Sequence, residues 1–348
     1  MWPFIKQSNL LRYLCLARVN RSLVKLPRWP AAELSLVLGS IIADRLPTRQ
    51  AHQWRKVLSL WQDYEGEAVN VDLAAAATET AKKTKVIPEV GWPVETAFFV
   101  YPGKMTYGQG ELIAWELKLL GEGAEHGFFL EVILPALEEA SRTTNSQWNY
   151  QYSLWGRFDI DSIYVTRGRQ WMPVVQAGKL DTHYRPSPTQ WADGLDFGLN
   201  EAVNVKNLTW LTPFDLTAAS PDEGQSSPAK TNRPTITFSE TPTLTKILEA
   251  LLARLTVFLP GKYHTPEDMW PALSAEEQTS LRQAMDEAQS IPAYLKSLKP
   301  APAYAPGRWL AEQTFPTIPA SVLPYLELAS MLHVGRQTHL GCGVFTLD

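Results

Sequence analysis

In the first half of the chain, the spacing of apolar residues changes between that of a strand and that of a helix in a fixed order. Residues 11–19 alternate as in a strand, and residues 31–46 have helical spacing until Pro47 ends the run. Residues 98–101 and 112–120 are predicted strands, residues 128–140 an amphipathic helix, and residues 162–167 a further strand. The order strand, helix, strand, strand, helix, strand predicts one sheet that is covered by two helices.

This order is that of the ferredoxin-like βαββαβ unit, and the second half fits the same order. It contains predicted strands at 208–213 and 235–238, a helix through Ile247–Leu255, a capping box at Ser274, and a last helix at 322–332. With 348 residues the chain is long enough for two domains. We therefore predict an α+β fold of two tandem ferredoxin-like domains, residues 1–200 and 201–348, with the polar segment 217–234 as an insertion loop in the second.

A glycine-rich loop, residues 333–343, lies between the last helix and a short terminal strand. Gly335, Gly341 and Gly343 occur in it, together with His333, Arg336 and His339. Glycine is favoured where the backbone needs a positive φ or must approach another group closely. Successive N–H groups in such a loop can turn toward one point, which suits a phosphate. The alternative is a tight β-hairpin with a bulge.

The glycine spacing resembles the G-x-G-x5-G-x-G loop of the RAMP superfamily of CRISPR proteins. His333 stands at the first glycine position, and the form His-Val-Gly-x5-Gly-x-Gly is similar to one branch, the CRISPR repeat-RNA processing endoribonucleases. Other passages resemble that branch in the same order: 12–19 with Leu26-Pro27, 92–93 with 98–102, 107–120, and 208–213. The Arg-Gly pair expected at the head of the first helix is absent, since Pro30-Ala31-Ala32 stands there.

The resemblance implies two tandem RAMP (RRM-like) domains that bind repeat RNA and cut it without a metal. The ribose 2′-hydroxyl would attack the adjacent phosphate and leave a 2′,3′-cyclic phosphate and a 5′-hydroxyl. This chemistry needs a general base, a general acid and a cation beside the phosphate. Histidine suits the proton transfers, and Lys or Arg suits the phosphate.

The candidate catalytic residues are His52 and Lys56, because the family histidine usually lies near the first helix. His52, Arg55 and Lys56 share one face of a predicted helix, although His52 could equally be an ordinary surface residue. His183 and His333 are the reserve candidates. The candidate RNA-binding residues are those of the glycine-rich loop and of the basic N-terminal segment: Gly335, Arg336, Gly341, Gly343, Arg12, Arg18 and Arg55.

Composition limits the partners. The net charge of −4 argues against a wholly basic nucleic-acid binder, but residues 1–60 hold ten Lys or Arg against two acidic residues. Residues 61–150 hold fourteen acidic residues against six basic ones. Two cysteines give no framework of disulfides or zinc ligands, and His333, His339 and Cys342 lack a fourth ligand. We expect no metal, no cofactor, no membrane segment, and a cytoplasmic location.

Two alternatives remain beside the nuclease. The first keeps the fold without the chemistry, as a non-catalytic subunit that holds the guide RNA end in a CRISPR effector complex. The second is an α/β protein-interaction module in which the glycine-rich loop is only a hairpin. Fold alone does not separate the three hypotheses. The predicted partners are therefore CRISPR repeat or guide RNA, with other effector subunits.

Overall fold

The computed structural model describes residues 8–59, 91–144, 151–195, 205–216, 242–259, 263, 265–292, 298–301 and 305–348. These residues build two antiparallel sheets, each with its own helices and hydrophobic core, and a small two-stranded ribbon. The structure confirms the predicted α+β class. Within the described ranges, no helix has the length and apolar character needed to cross a membrane.

Within the described residues, the first unit has eight strands and three α-helices. The strands are β1 (Leu10–Val19), β2 (Leu23–Lys25), β3 (Thr96–Val100), β4 (Thr106–Gly108), β5 (Leu112–Leu120), β6 (Phe158–Arg167), β7 (Gln170–Gln176) and β8 (Lys179–Leu180). The helices are α1 (Pro30–Arg45), α2 (48–59) and α3, in which α-helical His126–Phe128 and Leu134–Arg142 flank a π-helical stretch, Phe129–Ile133.

The sheet of the first unit has the order β3-β5-β1-β6, extended by β7 and β8. With β1, β3, β5 and β6 as the four strands of a βαββαβ unit, this is the split arrangement in which β5 lies between β1 and β3. All neighbouring strands are antiparallel. Strands β2 and β4 pair with each other as the separate ribbon. The ferredoxin-like topology of the first unit is therefore confirmed.

The second unit repeats this topology with one additional long helix. Its elements are β9 (Asn207–Phe214), α4 (Leu244–Phe258), α5 (Pro266–Met269), α6 (Ala275–Gln289), β10 (Leu298–Pro300), β11 (Trp309–Thr314), α7 (Leu323–Leu332) and β12 (Phe345–Leu347). The sheet order β10-β11-β9-β12 is again the split arrangement, and its pairs are antiparallel. Two tandem ferredoxin-like units are thus present.

Local sequence explains most of these elements. Along β1, every second residue from Leu11 to Val19 is buried beneath the helices, whereas the residues between them are partly or fully exposed. The capping box of Ser274 and Glu277 forms as predicted at the start of α6.

Some predicted features cannot be compared with the structure. The predicted insertion loop 217–234, the strand at 235–238 and the domain boundary at residue 200 lie outside the described residues.

Strands β10 and β11 were not predicted, since they fall in and beside the proline-rich stretch 300–319.

Candidate functional site

The glycine-rich loop lies between the two units. It leaves the end of α7 and enters β12, and Val334 and Phe345 pack in the core of the second unit. Leu340, on a single 3₁₀ turn at Thr338–Leu340, packs instead in the core of the first unit. The ring of His339 meets Trp92 of the first unit edge-on, with the ring centroids 6.3 Å apart. The loop therefore joins the two units by contributing to both cores.

Several backbone groups of the loop already have partners within the chain. The N–H of Gly343 donates to Pro213 O (2.9 Å), and that of Arg336 donates to Asp215 O (2.8 Å). The N–H groups of Gly341 and Cys342 donate to carbonyls of the loop itself. These four donors do not face an external phosphate, and the side chain of Arg336 is buried. A contact between the loop and a phosphate stays a prediction. It would need N–H groups other than these four, or a different conformation of the loop.

Two glycines of the loop are required by geometry. Gly341 has φ +88°, and a Cβ at this position would lie 2.5 Å from the Cβ of Ala31 in α1. Gly343 has φ +81°, and a Cβ there would lie 1.9 Å from Val334 O. Both positions combine the left-handed region with a contact that excludes a side chain. The glycine pattern thus allows the loop to pack closely against the first unit and against itself.

Two cations hold the end of α7 immediately before the loop. Lys118 Nζ, on β5 of the first unit, donates to Met331 O at 2.6 Å. Arg254 Nε, on α4 of the second unit, donates to Leu332 O at 3.5 Å, and its guanidinium pairs with Glu95. Carbonyl groups at a helix C-terminus carry partial negative charge and favour cations. These bonds fix the position of α7 relative to the first sheet.

His333, a reserve catalytic candidate, is completely buried at this junction. Neither ring nitrogen has a hydrogen-bond partner within the part of the chain that the structure describes. Burial, followed by the positive charges of Lys118 and Arg254, lowers the pKa of His333 well below its usual value. The imidazole is therefore neutral at physiological pH and inaccessible to an RNA molecule in this conformation.

Burial of Lys118 should make the free energy of unfolding of the chain depend on pH. Burial lowers the pKa of Lys118 to about 7 in the folded chain, against an ordinary value of 10.5. Between these two values the unfolded chain binds a proton that the folded chain does not, so the free energy of unfolding rises with pH there. Below pH 7 both states are protonated, and the cost of burying the cation is then fully present.

In the Lys118→Met variant, we expect the free energy of unfolding to rise less steeply with pH than in the parent. The slope should be lower by at most about 1.4 kcal/mol per pH unit. Urea unfolding of the parent and the variant at several pH values from 7 to 10 measures the difference. Other groups titrate in both proteins and cancel in the comparison. Parallel curves for the two proteins would show that Lys118 does not titrate in this range.

A buried carboxylate, Glu116, organises the face of the first sheet that is not covered by α1 and α3. It accepts two bonds from the guanidinium of Arg12, each 2.5 Å long, and one from the hydroxyl of Tyr101. Lys118 Nζ lies 3.8 Å away. Burial alone would raise the pKa of Glu116, but the charges of Lys118 and Arg12 outweigh it and lower that pKa.

The predicted catalytic residues His52 and Lys56 lie on one exposed face of α2 together with Arg55, a predicted RNA contact. His52, Arg55 and Lys56 are exposed, whereas Trp54 of the same helix is buried. The ring of Trp54 stacks on Trp92 at 5.1 Å. Since Trp92 also contacts His339, one chain of aromatic contacts connects α2 to the glycine-rich loop. The structure therefore brings the three residues together, but separately from the buried loop.

The basic N-terminal segment is partly neutralised by acidic residues from later in the chain. Arg12 pairs with Glu116, and the helical residue Arg45 pairs with Glu139 at 2.9 Å. Arg18, on the same face of β1 as Arg12, pairs with Asp161 at 2.5 Å. Part of the charge asymmetry in the sequence therefore reflects ion pairs within the first unit.

Two further histidines have defined surroundings. His183 is exposed in the loop after β8, and its backbone N–H donates to Asp181 Oδ1 at 2.9 Å. His126, at the start of α3, lies with Nδ1 2.9 Å from the hydroxyl of Tyr13. Burial and the nearby charge of Arg185 lower the pKa of His126. His183 is thus accessible but does not share the site on α2.

Sequence reasoning missed the network around Glu116. A signal for it exists, because Glu116 and Lys118 interrupt the otherwise apolar strand 112–120 at two positions of the same face. Charged residues are almost never fully buried unless they are paired. Two charges within such a strand therefore indicate a partner on a neighbouring strand, here Arg12.

No protein-family model matches the sequence, and no curated protein is similar to it at a significant level. Solved structures do resemble it. They include a chain of a partial Cas6-RT-Cas1–Cas2 complex, with a TM-score of 0.48 and 11% identity, covering 98% of this chain and 46% of that one. A Cas6 product complex has a TM-score of 0.42 and 14% identity, covering 97% and 100%.

A third similar structure belongs to the product of a Cas6-related gene from Pyrococcus furiosus, with a TM-score of 0.37 and 9% identity, covering 98% and 99%. This chain spans less than half the length of the matching chain in the partial Cas6-RT-Cas1–Cas2 complex. The fold assignment rests on the two strand orders described above.

Proposed function

We propose that this chain is a CRISPR repeat-RNA binding protein that cuts its RNA without a metal. The observation that carries the proposal is the face of α2, where His52, Arg55 and Lys56 are exposed side by side. This face supplies a base and two cations, and the histidine that has taken up the proton, or water, supplies the general acid that the reaction also requires. The two ferredoxin-like units and the glycine spacing agree with the family that the sequence resembles.

In the proposed reaction, a neutral His52 removes the proton of the ribose 2′-hydroxyl. The 2′-oxygen then forms a bond to phosphorus, and the bond from phosphorus to the 5′-oxygen breaks. The departing 5′-oxygen takes its electron pair and receives a proton from protonated histidine or water. Lys56 neutralises part of the charge on the phosphate, and Arg55 contacts a neighbouring phosphate. The products are a 2′,3′-cyclic phosphate and a 5′-hydroxyl.

The experiment for the activity uses the purified chain, its repeat RNA and EDTA. A single cut that ends in a 2′,3′-cyclic phosphate is the expected result. Tight RNA binding without a cut would favour the second candidate, a non-catalytic subunit that holds guide RNA. The absence of the Arg-Gly pair at the head of the first helix, where Pro30-Ala31-Ala32 stands, favours that candidate. Absence of any RNA binding would contradict both.

The affinity for RNA should fall as salt rises, because binding releases counterions from the phosphates. The logarithm of the binding constant should decrease linearly with the logarithm of salt concentration, by about 0.7 per phosphate contact for single-stranded RNA. Arg18→Gln should flatten this slope by one contact if Arg18 exchanges Asp161 for a phosphate. Titrations of labelled RNA at several salt concentrations give the slope.

Arg45→Gln is the matched control for Arg18. The side chain of Arg45 is 46% exposed and paired with Glu139, while that of Arg18 is 47% exposed and paired with Asp161. Arg45 lies at the end of α1 and is not among the predicted RNA contacts, so its replacement should leave the slope unchanged. Equal slopes for the parent and Arg18→Gln would remove Arg18 from the RNA-binding residues.

A further inference from the structure

The open face of the first sheet is the part of its side away from α1 and α3 that the second unit does not cover; Leu10, Ala97 and Leu120, on the same side, pack in the core of the second unit. On β1 it carries Arg12, Leu14, Leu16 and Arg18, all of which are partly or fully exposed. Leu14 lies opposite Glu116 on β5 and opposite Tyr164 on β6. The other face of the same strand is buried in the hydrophobic core.

Glu116 has no role in the proposed cleavage, yet it is buried in this sheet. A buried carboxylate is unfavourable unless charged or hydrogen-bonding partners satisfy it. The partners of Glu116 include two groups that reach the surface, Arg12, with a 26% exposed side chain, and Tyr101, 38% exposed. One buried residue therefore holds both a cation and an aromatic ring in fixed positions on the open face.

Trp171 completes this arrangement on the other side of Arg12. The guanidinium carbon of Arg12 lies 5.1 Å from the centroid of the Trp171 ring, and Trp171 is itself partly exposed. Two bonds to Glu116 engage Nε and Nη2 of Arg12. The guanidinium is thereby fixed before a ligand binds, which reduces the entropy that binding would cost.

We infer that Trp171, Arg12 and Tyr101 form a binding site for unpaired nucleotides of RNA. Aromatic side chains and guanidinium planes stack on bases that are not hidden in a duplex, and Leu14 and Leu16, partly exposed on the same face, add apolar surface. The inference rests on the proposed RNA binding and names the part of the RNA that this face recognises. Glu116 is the positioning residue.

The test compares two single-stranded RNA oligonucleotides of the same length, one normal and one with abasic riboses at several positions. Stacking of a base on an aromatic side chain changes affinity by roughly 5- to 150-fold per base. Trp171→Ala should weaken binding of the normal RNA by a factor in this range and leave binding of the abasic RNA unchanged. Trp171→Phe should restore most of the loss, because it keeps an aromatic face.

Tyr152→Ala is the matched control, since Tyr152 is also exposed, has Arg157 5.9 Å from its ring, and lies in no strand of the sheet. This variant should bind both RNAs like the parent. Glu116→Gln should lower affinity for the normal RNA and not for the abasic one. If the parent binds RNA and Trp171→Ala binds each of the two RNAs as tightly as the parent does, the inference is wrong while the proposed function stands. If the parent binds neither RNA, the proposed function fails.

Discussion

Replacing His52 by alanine is expected to slow cleavage of repeat RNA by roughly 10²–10⁴-fold, the usual contribution of general acid–base catalysis. His52 is exposed on α2, so the substitution removes no buried contact and should leave folding intact. RNA affinity should change little, because Arg55 and Lys56, the proposed phosphate contacts on the same face, are unaltered. Single-turnover cleavage in EDTA, with the enzyme in excess, measures the rate of the chemical step.

His183→Ala is the matched control, because His183 is the other exposed histidine proposed as a candidate. Its rate should equal that of the parent. Full activity in His52→Ala together with loss in His183→Ala would move the catalytic role to the loop after β8. His333 is a weaker candidate than either, since it is fully buried between α7 and the first sheet.

Gly341→Ala is expected to destabilise the chain by about 2–5 kcal/mol. A left-handed conformation costs an L-residue about 1–2 kcal/mol, and overpacking adds about 1–3 kcal/mol. The added Cβ would lie 2.5 Å from the Cβ of Ala31 and 3.0 Å from Phe98 O, both in the first unit. Since the contacted atoms include backbone, neither can move aside as a flexible side chain would. Equilibrium unfolding in urea measures the loss.

Gly110→Ala separates the two contributions to this loss. Gly110 has φ +85°, almost the same as Gly341, but no atom lies within 4 Å of the position of its added Cβ. This variant should lose only the conformational part, about 1–2 kcal/mol. Equal losses in the two variants would contradict the close packing of the loop against α1 and β3.

These variants also bear on the role of the glycine-rich loop. An aspartate at position 341 would combine a negative charge with the same steric contacts. Weaker RNA binding in that variant could then arise from altered packing rather than from repulsion of a phosphate. The pair Gly341→Ala and Gly110→Ala measures the packing contribution without a charge.

The periodicity of the first half was sufficient to predict the strands and helices of the βαββαβ unit, but not β2, β4, β7 or β8. The strand at 112–120 was predicted with the bounds of β5, and the first helix at 31–46 differs from α1 by one residue at each end. Such agreement arises because both segments are apolar runs that are buried on more than one side, and their bounds follow from where those runs end, as at Pro47. Strand β11 has a different cause. It forms by pairing with β9 and β10, and no local pattern reveals that pairing.

The candidate site was predictable only in part. The common face of His52, Arg55 and Lys56 follows from helical spacing, and α2 has it. The position of the glycine-rich loop does not follow from its sequence, because the same spacing suits an exposed phosphate cradle and a buried connection between two units. Its contacts with Trp92 and Ala31 come from residues more than two hundred positions earlier.

The sequence by itself determined the order of elements and the βαββαβ pattern of the first half. These are consequences of local backbone geometry and of the period with which each element buries its side chains. The tertiary structure alone decided which charges meet. Arg12 and Glu116 are far apart in the sequence and become partners because β1 and β5 are neighbours in the sheet. Electrostatic energy depends on distance in space and on burial, and neither is encoded in local spacing.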